Sequence, residues 1–451
     1  MLRLMFVATC LQFSIFNSQF SICQAQTPWS LKQCCDYAVD HNITIKQQEN
    51  QCRQQEIQLS TAKNQRLPDL SASANQSINF GRGLTAENTY SNTNTSSTSF
   101  SLGTSIPLFT GFQIPNQIKL SQLNLEAATA DLEKAKNDIR TQVAQAYVQI
   151  LYDIEIAEVA HRQVAIDSMQ VVRLKAMVDN GKASGAELAQ QQATLANSRL
   201  TATQADNTHR LAILTLTQLL ELPSPDGFTI VQPAAANSSL FTLHSSLSSL
   251  PSPEAIYAEA LGIKPEIAAQ QLRLRATDHN IKIAQAGYMP TLSISGGLGS
   301  NYYTTSGFKS ESFGKQLKNN FSQYIGLSLN IPIFNRFSTR NNVRNARIEQ
   351  ENQKLQLDNT KKTLYKEIQQ VYLNALNAQQ KERSSNEAVS SAQAAFTLMQ
   401  AKYENGKANI TEFNEAKNTY LRAESDYLQA RYELLYQMAL IQFYRGKELT
   451  F

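Results

Sequence analysis

Apolar residues alternate with small polar ones in four stretches of the chain. The first two carry Leu70, Ala72 and Ala74, then Phe100, Leu102, Thr104 and Ile106. The other two carry Leu292, Ile294 and Leu298, then Ile325, Leu327, Leu329, Ile331 and Ile333, with Ser, Gly, Thr or Asn between them. A period of two predicts strands with one apolar and one polar face, over about 69–80, 98–109, 291–303 and 322–334. The Ser/Thr/Asn-rich stretches from Gly81 to Ser97 and from Thr304 to Asn320 read as exposed hairpin loops between paired strands.

A different pattern follows each strand pair. From Phe112 to Asp179 there is no Gly, and no Pro after Pro115, and Phe337 to Glu404 contains neither. These stretches predict long helices over about 112–179 and 337–404, each reaching roughly 100 Å at 1.5 Å per residue. Val143, Ile150, Ala157, Val164, Val171 and Val178 are spaced by seven, as are Ile368, Ala375, Val389, Phe396 and Tyr403, with Glu382 interrupting the second series. A sustained seven-residue repeat implies left-handed coiled-coil packing, and packing seams are a sufficient account of these residues. Both helices stop at Asn-Gly, where Gly provides a left-handed cap, and return helices follow over about 184–222 and 409–445.

The two halves are copies of one unit. Ile106-Pro107-Leu108-Phe109 recurs as Ile331-Pro332-Ile333-Phe334, a shift of 225 residues that also pairs Asn116 with Asn341, Tyr147 with Tyr372, and Asn180-Gly181-Lys182-Ala183 with Asn405-Gly406-Lys407-Ala408. Upstream the shift is 222, which matches Leu67-Pro68 with Met289-Pro290 and Ile45 with Ile267. The organisation is therefore a repeat over 26–222, a Pro- and Ser-rich connector over 223–253, and a second repeat over 254–451.

Composition narrows the setting. The 451 residues are 42% hydrophobic, enough for an ordered protein, and 41 basic against 37 acidic side chains are interspersed without the basic block of a nucleic-acid binder. Residues 1–25 read as an export signal: Arg3, the apolar run Leu4 to Phe16, and Cys23-Gln24-Ala25 before the cut. Ile22 precedes Cys23 where lipid modification needs a small residue, so an unlipidated mature chain is expected. The helical stretches are crowded with Gln, Asn, Lys and Glu, too polar for a membrane-spanning helix, so membrane insertion requires a β-barrel. Aromatic residues sit at the strand ends: Phe80, Phe100, Tyr302, Tyr303 and Tyr324 towards the loops, Phe109, Phe112 and Phe334 at the other side. Four strands cannot close a membrane barrel, whose minimum is about eight; two chains would give eight strands and a filled interior, whereas three give twelve and a lumen.

The duplicated strand, Ile-Pro-x-Phe and long-helix unit, Tyr403-x-x-Gly406 with an acid six positions on, and Pro265-Glu266-Ile267 opening the second copy resemble the TolC-like family of outer-membrane efflux and secretion channels. The resemblance spans essentially the whole mature chain. It implies a mainly α fold with β: a protomer giving four transmembrane strands to a 12-stranded barrel of a homotrimer, with coiled-coil hairpins forming a periplasmic tunnel. It also implies docking to a periplasmic adaptor protein and to an inner-membrane pump of RND, ABC or MFS type, with lipid around the barrel. Asn42-Ile43 departs from the family's Asn-Pro pattern in the first copy.

The family's periplasmic entrance is narrowed by acids just beyond the tip Gly. Glu412 and Glu415 hold those positions after Gly406, and Glu187 holds the first of them after Gly181, where Gln190 replaces the second acid. Ser184-x-x-Glu187 and Asn409-x-x-Glu412 also fit capping boxes, a plainer account of two of the three acids. The turns Asn180, Gly181, Lys182 and Asn405, Gly406, Lys407 are the candidate adaptor-docking tips, and equally ordinary helix caps. His41, His161, His209, His244 and His279 show no metal or triad spacing, and there is no phosphate-binding loop, so no enzyme activity, cofactor or metal is expected. Cys34, Cys35 and Cys52 leave an odd count after signal removal, with one bridge open. The reading is a passive export conduit for small molecules in a tripartite system. A conduit of type I protein secretion is the alternative within the class, and a periplasmic coiled-coil protein or adhesin the alternative outside it.

Overall fold

A computed structural model of the chain describes residues 28–84, 88–92, 94–232 and 251–449. The signal segment and most of the connector lie outside them. In chain order the elements are helices α1 (Leu31–His41) and α2 (Ile43–Asn64), strands β1 (Asp69–Asn79), β2 (Arg82–Leu84), β3 (Tyr90–Asn92) and β4 (Thr95–Thr110), and helices α3 (Gln113–Asp179) and α4 (Gly185–Leu219). The second repeat gives α5 (Pro253–Ile263), α6 (Pro265–Ala286), β5 (Thr291–Thr305), a short α7 (Phe313–Asn319), β6 (Ser322–Asn330), α8 (Ser338–Glu404) and α9 (Ile410–Tyr444).

The helices ahead of the strands carry start signals that the period-two and heptad patterns overlook. Ser30 and Gln33 form a capping box on α1, and Ser252 caps α5 with Pro253 in its first turn. Asn42 compensates for the missing Pro: its side chain accepts the Thr44 N–H to start α2, while its amide donates to the Leu219 carbonyl. Its counterpart Lys264 caps α6 with no side-chain bond and leaves that start to Pro265.

Both long helices have 67 residues. Each is launched from its strand by two consecutive left-handed residues, Gly111 and Phe112 (φ 62° and 67°) in the first copy and Arg336 and Phe337 (φ 56° and 62°) in the second. At Gly111 a Cβ would sit 2.7 Å from Met289 Cβ, so the close approach of the β5 lead-in requires glycine there.

The hydrophobic core lies where helices of both repeats converge. Val143, Tyr147, Ile150, Leu216 and Leu435 pack with α1, while Trp29 pairs in parallel with Ile230 and the Tyr147 hydroxyl donates to the Val231 carbonyl at 2.7 Å. A second cluster joins Ile256 and Ile267 to Leu364, Ile368 and Met438. Among the described residues no helix is long and apolar enough to cross a membrane.

Three strand expectations need correction. Strand β6 stops at Asn330 and leaves residues 331–334 irregular, although the matching Ile106 to Phe109 stay within β4. Those residues of β4 are held by pairing with β5, through a bulge between Pro107 and Phe109. No strand follows β6 in the chain to do the same, and Pro332 has no N–H to offer. The stretches read as loops also hold structure: 81–97 contains the β2–β3 ribbon, and 304–320 contains α7.

Candidate functional site

The four long strands form one antiparallel sheet in the order β1-β4-β5-β6. Its register keeps the alternating faces in phase across all four strands. Leu70 pairs with Thr104, Ala72 with Leu102, Leu102 with Leu298, Ile106 with Ile294, Ile294 with Leu327, and Leu292 with Leu329. The opposite face pairs Ser73 with Ser101, Gly103 with Gly297, Ser105 with Ser295, Ser295 with Gly326, and Ser293 with Ser328. One face is thus aliphatic and the other Ser, Gly and Asn, the division a wall between lipid and water requires. Tyr324 lies on the polar face, its ring over Gly297, where a Cβ would meet it at 2.6 Å.

The sheet has two outer edges, on β1 and β6. Beyond Gly299, β5 outruns β6, and α7 covers that stretch. The Gln316 side chain accepts from the Tyr303 N–H at 2.9 Å and donates to the Tyr303 carbonyl at 3.0 Å, and Asn320 donates to the Asn301 carbonyl at 2.8 Å. These bonds take the place of a neighbouring strand and blunt the edge. Phe313 anchors α7 on the apolar face, against Phe100 and Tyr302.

At the far end of the helices the two tip turns are nearly superimposable in their bonding. Gly181 and Gly406 are left-handed (φ 65° and 70°). Lys182 N–H bonds Met177 O and Lys407 N–H bonds Lys402 O, each at 2.8 Å, while the Asn180 and Asn405 side chains donate to Ala176 and Ala401 carbonyls. That is the Schellman pattern twice over. Both capping boxes form: Ser184 with Glu187, and Asn409 with Glu412, whose N–H bonds Asn409 Oδ1 at 2.9 Å. Each box engages one carboxylate oxygen. The Glu415 carboxylate makes no hydrogen bond or ion pair among the described residues, although the residue's backbone carbonyl accepts from Thr419 Oγ1 at 2.9 Å. It shares with Glu412 a groove of about 280 Å³ between α8 and α9, lined also by Ala392, Ala395, Met399, Ala416 and Thr419. Glu187 lies outside this groove.

Several residues that composition and spacing did not single out join the two hairpins. Arg173 of α3 donates to the Glu404 carbonyl at 3.0 Å and stands 5.0 Å over the Tyr403 ring, next to a tip core of Leu174, Phe396, Ile410 and Phe413. Burial there pushes the Tyr403 hydroxyl up from its ordinary range. Further along, Lys417 of α9 is paired with Asp167 of α3, both completely buried. Ser198 Oγ donates to the other Asp167 oxygen, Gln191 Nε2 donates to Asp167 at 3.2 Å, and Asn414 donates to Gln191 at 3.0 Å. The only advance signal was an Asp and a Lys at positions where the surrounding helical pattern is apolar. Among the described residues no group of three or more His, Cys, Asp or Glu is placed to hold a metal ion.

Comparison with known proteins matches residues 36–221 and 256–446, one segment in each repeat, to the family described as outer membrane efflux protein. The outer membrane efflux protein BepC of Brucella suis is 22% identical over 442 residues, covering 96% of this chain and 89% of that protein. Among solved structures, the outer membrane protein VceC of Vibrio cholerae superimposes with a TM-score of 0.74 at 18% identity, covering 93% of this chain and 96% of VceC. A membrane protein of Pseudomonas aeruginosa gives a TM-score of 0.76 at 18% identity, covering 92% of each chain.

Proposed function

The chain belongs to the outer membrane efflux protein family, and from that premise we propose that three copies form a passive conduit whose tunnel entrance is narrowed by Glu412 and Glu415. The protein resides in the outer membrane, with its helices forming the periplasmic tunnel. The observation that carries the reading is the sheet. Its faces are segregated into aliphatic and polar across four strands, yet it stops at two strand edges, β1 and β6. A wall of four strands closes only with strands from other copies, and twelve leave a lumen where eight would be filled.

The conduit works without chemistry of its own. Small polar side chains on the inner face offer solute a wet wall, and the driving force comes from an inner-membrane pump joined through a periplasmic adaptor at the tips of residues 180–182 and 405–407. Glu412 and Glu415 share one groove and leave at least three of their four carboxylate oxygens free of the capping box. Three such pairs around an axis make a strongly anionic ring that draws cations. Glu187, held in its own box and outside that groove, is the weaker contributor.

The test is ion selectivity in a planar bilayer. Replacing Glu412 and Glu415 by Gln is expected to lower the cation-to-anion permeability ratio of the reconstituted channel, and Glu187→Gln to lower it less. An unchanged ratio in the double variant removes the acidic entrance from the reading.

A further inference from the structure

Where the second long helix leaves the sheet, the chain carries a ridge of arginines without ion-pair partners. Arg336, Arg340, Arg344 and Arg347 are all exposed, and none of their guanidinium groups has an ion pair or hydrogen bond among the described residues. From Ile331 to Ile348 there is no acid to neutralise them. Arg340, Arg344 and Arg347 follow a spacing of four and three, which places them on one face of α8 over about 10 Å of its length. Lys63 and Arg66 add two exposed cations where α2 enters β1, at the same rim of the sheet. The acid there, Asp69, is already committed to the Ser105 N–H at 2.6 Å.

Ring contacts fix the side of the wall that this ridge faces. Phe109 pairs with Leu292, so its side chain stands on the aliphatic face of the sheet. Phe112 packs edge-on against it, with ring centroids 5.3 Å apart and planes at 87°. The second copy repeats the arrangement with Phe334 and Phe337, at 5.5 Å and 88°, and the Arg340 guanidinium lies 5.6 Å above the Phe337 ring. The ridge is therefore on the lipid side, beside the exposed rings of Phe334 and Phe337. Shifted back by 225 residues, the four arginines become Gly111, Pro115, Lys119 and Gln122. Both copies make the same left-handed launch, yet the first uses glycine for it and the second keeps Arg336 at φ 56°, a conformation that disfavours any residue with a Cβ. The turn does not call for that side chain, which leaves its charge to be accounted for by something outside the chain.

We propose that this ridge binds the phosphate groups of anionic phospholipids in the periplasmic leaflet of the outer membrane. The long helices run into the periplasm, so the start of α8 stands at the level of that leaflet. The headgroup layer is about 5–7 Å deep on each side of the hydrocarbon. Arg336 and Arg340 fall within it. Arg344 reaches it with its side chain, and Arg347, about 10 Å beyond Arg340, does not. A guanidinium fork matches two phosphate oxygens, and the rings beside it mark the boundary at which headgroups sit. A headgroup with an ammonium of its own brings a like charge to an array that lacks acids, so net-anionic lipid is favoured over zwitterionic lipid. The contact goes beyond the conduit reading, since it needs the sheet in a membrane but neither the acidic entrance nor a given number of copies.

The experiment uses the full chain, purified in a nonionic detergent and exposed to equal amounts of dioleoyl phosphatidylglycerol and dioleoyl phosphatidylethanolamine. Native mass spectrometry reads the ratio of the two lipids retained. Phosphatidylglycerol is expected to be retained preferentially, and Arg336→Gln and Arg340→Gln are each expected to lower the ratio about five-fold. Arg347→Gln is expected to change it by less than about two-fold, because it stands more than a screening length from the phosphates. Arg340→Lys is expected to keep most of the preference, which separates loss of charge from loss of fold. Equal retention of the two lipids by wild-type protein that still conducts overturns the ridge as a lipid site and leaves the conduit intact. A loss in Arg347→Gln as large as that in Arg340→Gln overturns the assignment of depth. Displacement of phosphatidylglycerol by excess inorganic phosphate, beyond that caused by chloride at equal ionic strength, overturns lipid as the occupant and leaves a site for free anions only.

Discussion

Replacing Lys417 by Met leaves Asp167 buried without its cation. The pair is completely shielded from solvent and joins α3 to α9 across the hairpins. Breaking a buried ion pair from one side costs about 3–5 kcal/mol, because the surviving charge keeps its desolvation penalty. Asp167 retains Ser198 Oγ and Gln191 Nε2 as donors, which puts the cost at the low end, about 3 kcal/mol. Replacing Asp167 by Leu in the same chain removes the stranded charge and leaves mainly the Gln191 amide unsatisfied, since Ser198 also donates to the Thr194 carbonyl at 3.0 Å. The double variant should therefore lose only about 1–3 kcal/mol.

Unfolding of an assembled membrane channel is not a reversible two-state process, so a melting temperature is a poor gauge. Amide hydrogen exchange reads local opening directly. A loss of 3 kcal/mol corresponds to roughly hundred-fold faster exchange over residues 410–421 in Lys417→Met, with the region around Tyr147 unaffected. The double variant should exchange more slowly than the single one. Exchange within about three-fold of wild type in Lys417→Met, or a double variant that opens faster than the single, would refute the buried-charge reasoning.

Two further outcomes follow from local geometry. Gly406→Ala places a side chain where φ is 70° with nothing within 4 Å, so the cost is conformational alone, about 1–2 kcal/mol, read as faster exchange confined to the tip. A measurable effect at the core of the hairpin instead would contradict that. Burial pushes the Cys34 and Cys35 thiols up to about 12, so at pH 8 only about one in ten thousand is thiolate; Cys52 is only half-buried. Maleimide should label Cys52 first, Cys52→Ser should remove the fast phase, and raising the pH should speed what remains because the thiolate fraction grows. Rapid labelling of Cys34 or Cys35 in the folded protein would contradict their burial.

What the sequence reveals is whatever repeats along it. Leu102, Ile294 and Leu327 announce strands because side chains alternate across a pleat. Val143 and Ile368 announce helices because the seam returns every seven residues, and Val143, Ile150, Ile368 and Ala375 of the two series lie in buried cores. The helices α1, α2, α5 and α6 were less visible, since α2 buries little more than Ile45 and Ala62 and so lacks a broad apolar stripe. Helix α7 escaped for a different reason: its job is edge protection by Gln316 and Asn320, and amides in a polar loop leave no periodic trace. Glu187, Glu412 and their boxes were legible from spacing, whereas the meeting of Asp167 with Lys417 spans 250 positions and is set by packing alone.

The repeat shift of 222 to 225 residues accounts for the unfinished parts of the fold. Helix α6 packs against α3 of the first repeat and α8 of its own, using Arg273 on Asp131, His279 against Asn116 at 2.9 Å, and Gln270 with Gln353. Its counterpart α2 packs against α3 alone among the long helices and leaves Ile57 66% exposed. Carried back by one repeat, Arg273 and His279 become Gln51 and Ile57, while Asp131 and Asn116 carry forward to Gln356 and Asn341, all exposed. Two glutamine amides can replace an ion pair by exchanging donor and acceptor, so the polar half of this contact keeps a workable partner with its charge removed. The strand β6 ends early for want of a following strand, α2 lacks the second long helix that α6 has, and α4 exposes the face that α9 buries. In the trimeric conduit proposed above, all three deficits are met by one kind of interface, the second repeat of one copy set against the first repeat of another.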